Sequence, residues 1–269
     1  MEYGFVRKES GGVPFYCVPR FLEAGGLAHG FTTRAGGVSE GAFATLNVGL
    51  RRADKKENIM ENLRRATEAV GGTFSHLVIS HQVHGTVIRH VTERDAGEGA
   101  RGELNTPECD ALMTDTPGIP LLTGYADCVP VALYDPKRKV IAAVHAGWRG
   151  TADRIAYHSV KEMCAYYGSD PADILAGIGA SIGKCCFEID RDVADEFPAE
   201  YVEKSTQKEG KFYADLWRYN ADQLKEAGVL DQNITLAGVC TVCRNDIYFS
   251  SRAQQKKMGN HGLIMELTK

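Results

Sequence analysis

Long apolar runs are missing from this chain of 269 residues. No window reaches the roughly 18 apolar residues of a membrane-spanning helix, and the first residues, which include Glu2 and Glu9, hold no signal-type apolar core. No membrane partner and a cytoplasmic address are expected. Charge of one sign is missing too, because 31 Lys and Arg face 35 Asp and Glu, giving a formal net charge of −4 spread along the sequence. No nucleic-acid partner is expected on that balance, since a polyanion site needs clustered cations to displace counterions. The one basic cluster, Arg51, Arg52, Lys55 and Lys56, is interrupted by Asp54 and Glu57 and reads as a solvated face. Repeats and Pro/Ser/Gly-rich linkers are absent as well, so residues 1–269 are read as a single domain. A chain of this size buries roughly three quarters of its extended surface and needs no disulfide staples. Its eight cysteines, several in apolar or Gly-rich settings, fit a reducing compartment and serve packing or chemistry.

Periodicity supplies the elements. Apolar residues at three-to-four spacing from Lys56 to Val70, with Gly71 as the stop, predict a helix. Strand-like runs follow at 77–80, 85–91, 120–123, 129–134 and 140–145, the last two joined by the turn Asp135-Pro136-Lys137. A helix is predicted over 152–167, a strand over 173–178, a helix over about 211–226 and a strand over 234–239. Strands mixed with helices of this length predict an α/β fold with a mixed, partly antiparallel sheet and helices on both faces, an α/β/α layering.

Three stretches place soft or borderline metal donors at strand ends beside glycine: Ser80-His81-Gln82-Val83-His84-Gly85, Thr123-Gly124-Tyr125-Ala126-Asp127-Cys128, and Val144-His145-Ala146-Gly147-Trp148-Arg149-Gly150-Thr151. His81, Cys128 and His145 would give a site of two nitrogens and one sulfur with a fourth position open, the arrangement of a catalytic zinc. The alternatives are ordinary core histidines and, for Cys128, a small buried hydrophobe. His84 points to the opposite face from His81 if the chain is extended, and reads as a structural or supporting residue. The Gly147–Gly150 turn runs from a strand into a helix start, where N–H groups and the Arg149 guanidinium would converge on an anion such as phosphate. A plain turn with a surface arginine is the competing reading. Arg34 and Asn47 lie in Gly-rich loops of the kind that line pockets.

The ordered segments 31–39 (Phe-Thr-Thr-Arg-Ala-Gly-Gly-Val-Ser), 46–49 (Leu-Asn-Val-Gly), 81–85 (His-Gln-Val-His-Gly), 126–130 (Ala-Asp-Cys-Val-Pro) and 144–151 (Val-His-Ala-Gly-Trp-Arg-Gly-Thr) carry more than spacing does. In this order they resemble the YfiH/YlmD family of laccase-domain proteins, formerly called multicopper polyphenol oxidoreductases, over about residues 28–265. The resemblance implies a cytoplasmic zinc enzyme that phosphorolyses adenosine, inosine and methylthioadenosine and also deaminates adenosine. It implies purine nucleosides and phosphate as partners, and a fold similar to the catalytic domain of the cytotoxic necrotizing factors. It also implies His81, Cys128 and His145 as metal ligands. The segment from Ser250 through Arg252 to His261 departs from the arginine-rich ending common in that family.

Beside that resemblance, Arg34 and Arg149 are the expected anion clamps, Asn47 and Gln82 the expected neutral donors to substrate, and Asp127 a supporting carboxylate, an acid/base or a turn aspartate. The His-x-Glu and Pro-Cys-x-x-Cys signature of ordinary zinc nucleoside deaminases is absent, so deamination would use another scaffold. A copper laccase reading is weak, because the chain has eight scattered histidines and no His-x-His pair, although Cu(2+) is an alternative occupant of the same donors. Two further alternatives stand: a cysteine hydrolase or deamidase with Cys128 as nucleophile and His145 as base, and a non-catalytic interaction module. Cys185-Cys186 and Cys240-Thr-Val-Cys243 raise a structural Cys-rich zinc site, against which their separation and apolar flanks weigh. A monomer or small homo-oligomer is expected.

Overall fold

The structure, a computed structural model, describes residues 1–103 and 105–268. Two large sheets stack face to face. One orders Glu2–Tyr3, Ile234–Leu236, Leu175–Ile178, Val129–Asp135, Val140–Ala146, Ala111–Thr114 and Ile88–His90. The other orders Val6–Ser10, Val13–Cys17, Leu27–Thr32, His261–Leu267, Leu121–Tyr125 and Val78–Ile79. Both mix parallel and antiparallel pairs. The period-two alternation of side chains sorts each strand between two cores. Ile141 and Ala143 face the layer between the sheets, where they meet Tyr125, Leu263 and Met265. Val140, Ala142 and Val144 face outward onto the helices Ile155–Tyr167 and Leu216–Glu226. On the far side, Leu122 and Ile264 pack against Ile59, Leu63 and Ala66 of the helix Lys56–Ala69. The mixed α/β class with helices on both outer faces is therefore as expected, and the middle of the sandwich is two sheets deep. No helix among the described residues is long and apolar enough to cross a membrane.

Two predicted helices differ in detail. The segment predicted as 152–167 is a short helix, Trp148–Ala152, and a longer one, Ile155–Tyr167, separated by Arg154 in the left-handed region at φ 63°. The segment predicted as 211–226 begins as the strand Phe212–Ala214. Asp215 then starts the helix Leu216–Glu226, its carboxylate accepting from the Arg218 N–H at 3.0 Å.

A buried imidazole in the second sheet makes stability depend on pH. His29 is 3% exposed, and its Nε2 accepts the Val18 N–H at 2.9 Å. Burial, with the positive charge of Lys8 adding to it, pushes the ring down to about 4. An unfolded ring takes up its proton near 6.5 while the folded one stays neutral, so falling pH favours the unfolded state between those two values. This group is expected to contribute about 3 kcal/mol at neutral pH, lost progressively from pH 6.5 to 4. Denaturant titrations across that window should show the loss, and His29→Gln should show a shallower one. An equal slope in the variant would exclude His29 as its source.

Candidate functional site

The chain crosses from one sheet to the other between Tyr125 and Val129, and this crossing creates the site. Asp127 turns there with φ 88°, and Cys128 follows it. His145, six positions into the strand Val140–Ala146, falls on the face between the sheets and lies 5.6 Å from the Tyr125 ring. His84 comes from the loop after Val78–Ile79, at φ 64°. One ligand atom from each of His84, Cys128 and His145 lies within 4.8 Å of the others. The structure gathers His84, and not the expected His81, with Cys128 and His145. His81 forms a parallel bridge with Glu108, and its Nδ1 contacts the Thr106 carbonyl at 2.9 Å. The chain then turns, so the strand alternation that would send His84 to the opposite face no longer applies. Gly147 completes the approach, since a Cβ there would sit 2.9 Å from the His84 ring.

Asp110, which the sequence reading did not single out, organises the trio. It directly precedes the strand Ala111–Thr114, whose register with Val140–Ala146 sets it beside His145. Its fully buried carboxylate meets His145 Nδ1 at 2.7 Å and accepts the N–H groups of Val83, His84 and Gly85 at 3.2, 3.0 and 2.8 Å. Burial opposes its charge, but these contacts, His145 foremost, hold the carboxyl below its usual range. Engaging Nδ1 leaves Nε2 of His145 for the cavity. Burial likewise raises the Cys128 thiol, yet His145 and His84 together bring it below its ordinary value. His145 is correspondingly raised, the adjacent sulfur and Asp110 outweighing burial.

These donors open into a cavity of about 1060 Å³. Gln82, Asp127 and Arg149 line it, and Arg34 and Asn47 do not. Arg34 is committed to the Ala44 and Asn245 carbonyls at 3.0 and 2.7 Å and stacks over Phe249. Asn47 is fully buried, holding Asp54 and accepting from Gly49 and Asn260. Both buttress loops and lie outside the cavity lining, where contacts to substrate were expected. The Gln82 amide donates to the Gly124 carbonyl and accepts its N–H, tying two segments together. The Asp127 carboxylate accepts from Thr241 Oγ1 and the Arg252 N–H, both at 2.7 Å. Arg149 stacks on Trp148 at 4.2 Å. Of the basic cluster, Arg51, Lys55 and Lys56 are exposed, as a solvated face requires, while Arg51 and the half-buried Arg52 also line the cavity, Arg52 bonded to Asn260.

The family profile described as multi-copper polyphenol oxidoreductase laccase matches residues 28–268. The sequence is 37% identical over 243 residues to a protein of Geobacillus stearothermophilus named purine nucleoside phosphorylase YlmD, covering 87% of this chain and 88% of that one. It is 34% identical over 237 residues to the Bacillus subtilis protein of the same name, covering 86% and 84%. The crystal structure of YlmD from Geobacillus stearothermophilus superimposes with a TM-score of 0.90 at 34% identity, over 98% of this chain and 99% of that chain.

Proposed function

The chain belongs to the YfiH/YlmD laccase-domain family, and from that premise we propose that it is a zinc-dependent purine nucleoside phosphorylase that also deaminates adenosine. The supporting observation is the meeting of His84, Cys128 and His145 beside a cavity whose lining includes both apolar side chains and the cations Arg51, Arg52, Arg149 and Lys256. The fit to zinc rests on the donor set, two imidazoles and a thiolate, with Asp110 fixing the tautomer of one imidazole. A zinc ion held by His84, Cys128 and His145 would supply Lewis acidity to a reactant group. Copper is a competing occupant of the same soft donors, but a multicopper cluster is not supported, because only two of the eight histidines gather here.

The remaining work falls to this chain's side chains. Trp148, Phe187 and Met258 offer apolar surface to a planar purine, while Arg51, Arg52, Arg149 and Lys256 offer charge to phosphate. In phosphorolysis a phosphate oxygen bonds to the ribose anomeric carbon as the glycosidic bond breaks, and its electron pair leaves with the purine, which takes up a proton. Cations on the phosphate and apolar side chains against the base would hold both partners in line for that exchange. Adenosine, inosine and methylthioadenosine share the features these walls would grip. Purified, zinc-loaded protein given adenosine and phosphate is expected to yield adenine and ribose-1-phosphate, and without phosphate to yield inosine. Absence of both products would remove the nucleoside reading.

One observation favours a second reading. Cys128, His145 and Asp110 follow the order of a thiol hydrolase, nucleophile, base and orienting carboxylate. Such an enzyme needs neither metal nor His84, so activity that survives chelation and His84→Ala would select it.

A further inference from the structure

A second group of soft donors lies apart from His84, Cys128 and His145. The strands Leu175–Ile178 and Ile234–Leu236 are parallel neighbours, with Ile178 opposite Leu236, so the chain leaves both at the same end of the sheet's strands. The first exit leads to Cys185-Cys186 and the second to Cys240-Thr-Val-Cys243, with a parallel bridge between Ser181 and Cys240 holding the exits together. Residues more than fifty positions apart thereby meet. The four Sγ atoms all lie within 4.8 Å of one another, with Cys243 3.8 Å from Cys185 and 3.6 Å from Cys186. All four are free thiols.

Distance discriminates between the two chemistries open to such a group. A disulfide needs sulfurs about 2.05 Å apart. Four thiolates around zinc, each about 2.3 Å from the ion, stand roughly 3.8 Å apart along the edges of the tetrahedron. The observed separations match the second. The Gly183 N–H donates to Cys240 Sγ at 3.3 Å, a contact that supports a thiolate. Cys240 is buried and Cys185 and Cys243 are exposed, which roots the group in the fold and leaves it a path for entry of an ion.

We propose that Cys185, Cys186, Cys240 and Cys243 form a second zinc site, a closed four-thiolate clamp distinct from the cavity donors. The thiols shed their protons on binding, and no redox step is involved. The clamp joins the two segments that hold Asp127 in place, since Ile182 N–H donates to the Asp127 carbonyl at 2.9 Å and Thr241 to its carboxylate. The first of these segments continues into the cavity wall at Phe187. Its role is thus to fix the wall.

Zinc content by elemental analysis tests this on the full chain. Cys185→Ser/Cys243→Ser is expected to carry one zinc fewer per chain than the unsubstituted protein, while His84→Ala keeps the clamp zinc whether or not the cavity binds metal. Equal zinc in the double variant and the parent overturns the proposal. Should the double variant fail to fold, cobalt substitution of the His84→Ala protein decides: intense thiolate-to-cobalt charge-transfer bands with tetrahedral ligand-field absorption support the clamp, and their absence overturns it. A disulfide between the two cysteine pairs in protein freshly isolated under reducing conditions also overturns it.

Discussion

His84→Ala is expected to lose about 10³-fold in kcat/KM for phosphorolysis together with the cavity zinc, on the scale at which removal of one preorganised electrostatic group is felt. Cys128→Ala and His145→Ala should do the same, because each supplies one of three converging donors and two donors bind a divalent ion far more weakly than three. His81→Ala is the informative contrast. Its ring contacts the Thr106 carbonyl and is not among the clustered donors, so metal content should be unchanged and kcat/KM should stay within a few-fold. Parallel zinc analysis and product formation on the four variants check this. If His81→Ala loses the zinc and His84→Ala keeps it, the geometry of the site is wrong.

Asp110→Ala is expected to cost about 3–5 kcal/mol of stability, the usual penalty for removing one partner of a buried charged contact. His145 Nδ1 and the N–H groups of Val83, His84 and Gly85 all lose their acceptor at once. Asp110→Asn keeps the shape and one acceptor oxygen, so it should fold. Its amide cannot receive all four donors, and it frees His145 to take the wrong tautomer, which should weaken zinc binding about 10–100-fold. Denaturation midpoints for the first variant and zinc competition for the second measure these effects. Parental zinc affinity in Asp110→Asn would show that the carboxylate does not orient the ligand.

The sequence was legible where one chemical signal sufficed. The helix before Gly71, the hairpin across Asp135 and the buried strands on either side of it follow from periodicity and turn chemistry, and Asp135 does accept the N–H groups of Lys137 and Arg138. Of the second sheet, Val78–Ile79 and Leu121–Tyr125 follow from their apolar runs, but Val13–Cys17, Leu27–Thr32 and His261–Leu267 are dispersed over the two ends of the chain and acquire their pattern only by pairing. Cys128 and His145 stood out at strand ends, whereas the choice between His81 and His84 turned on a backbone bend that residue spacing does not encode. Asp110 is one of 35 acidic residues and becomes special only through register. Arg34 and Asn47 sit in glycine-rich loops, and their hydrogen bonds commit them to bracing those loops, which residue type alone does not reveal. The two cysteine pairs were discounted for their separation, which parallel strand pairing removes.

The passage between the sheets at residues 126–128 has a consequence for how the protein comes into being. His145 lies on a strand of one sheet, while His84 and Cys128 lie in two separate segments that cross between the sheets. A nascent chain with either layer formed alone would be catalytically silent, so turnover would return during refolding only once the two halves have docked, and enzyme assay would then serve as a readout of completed assembly.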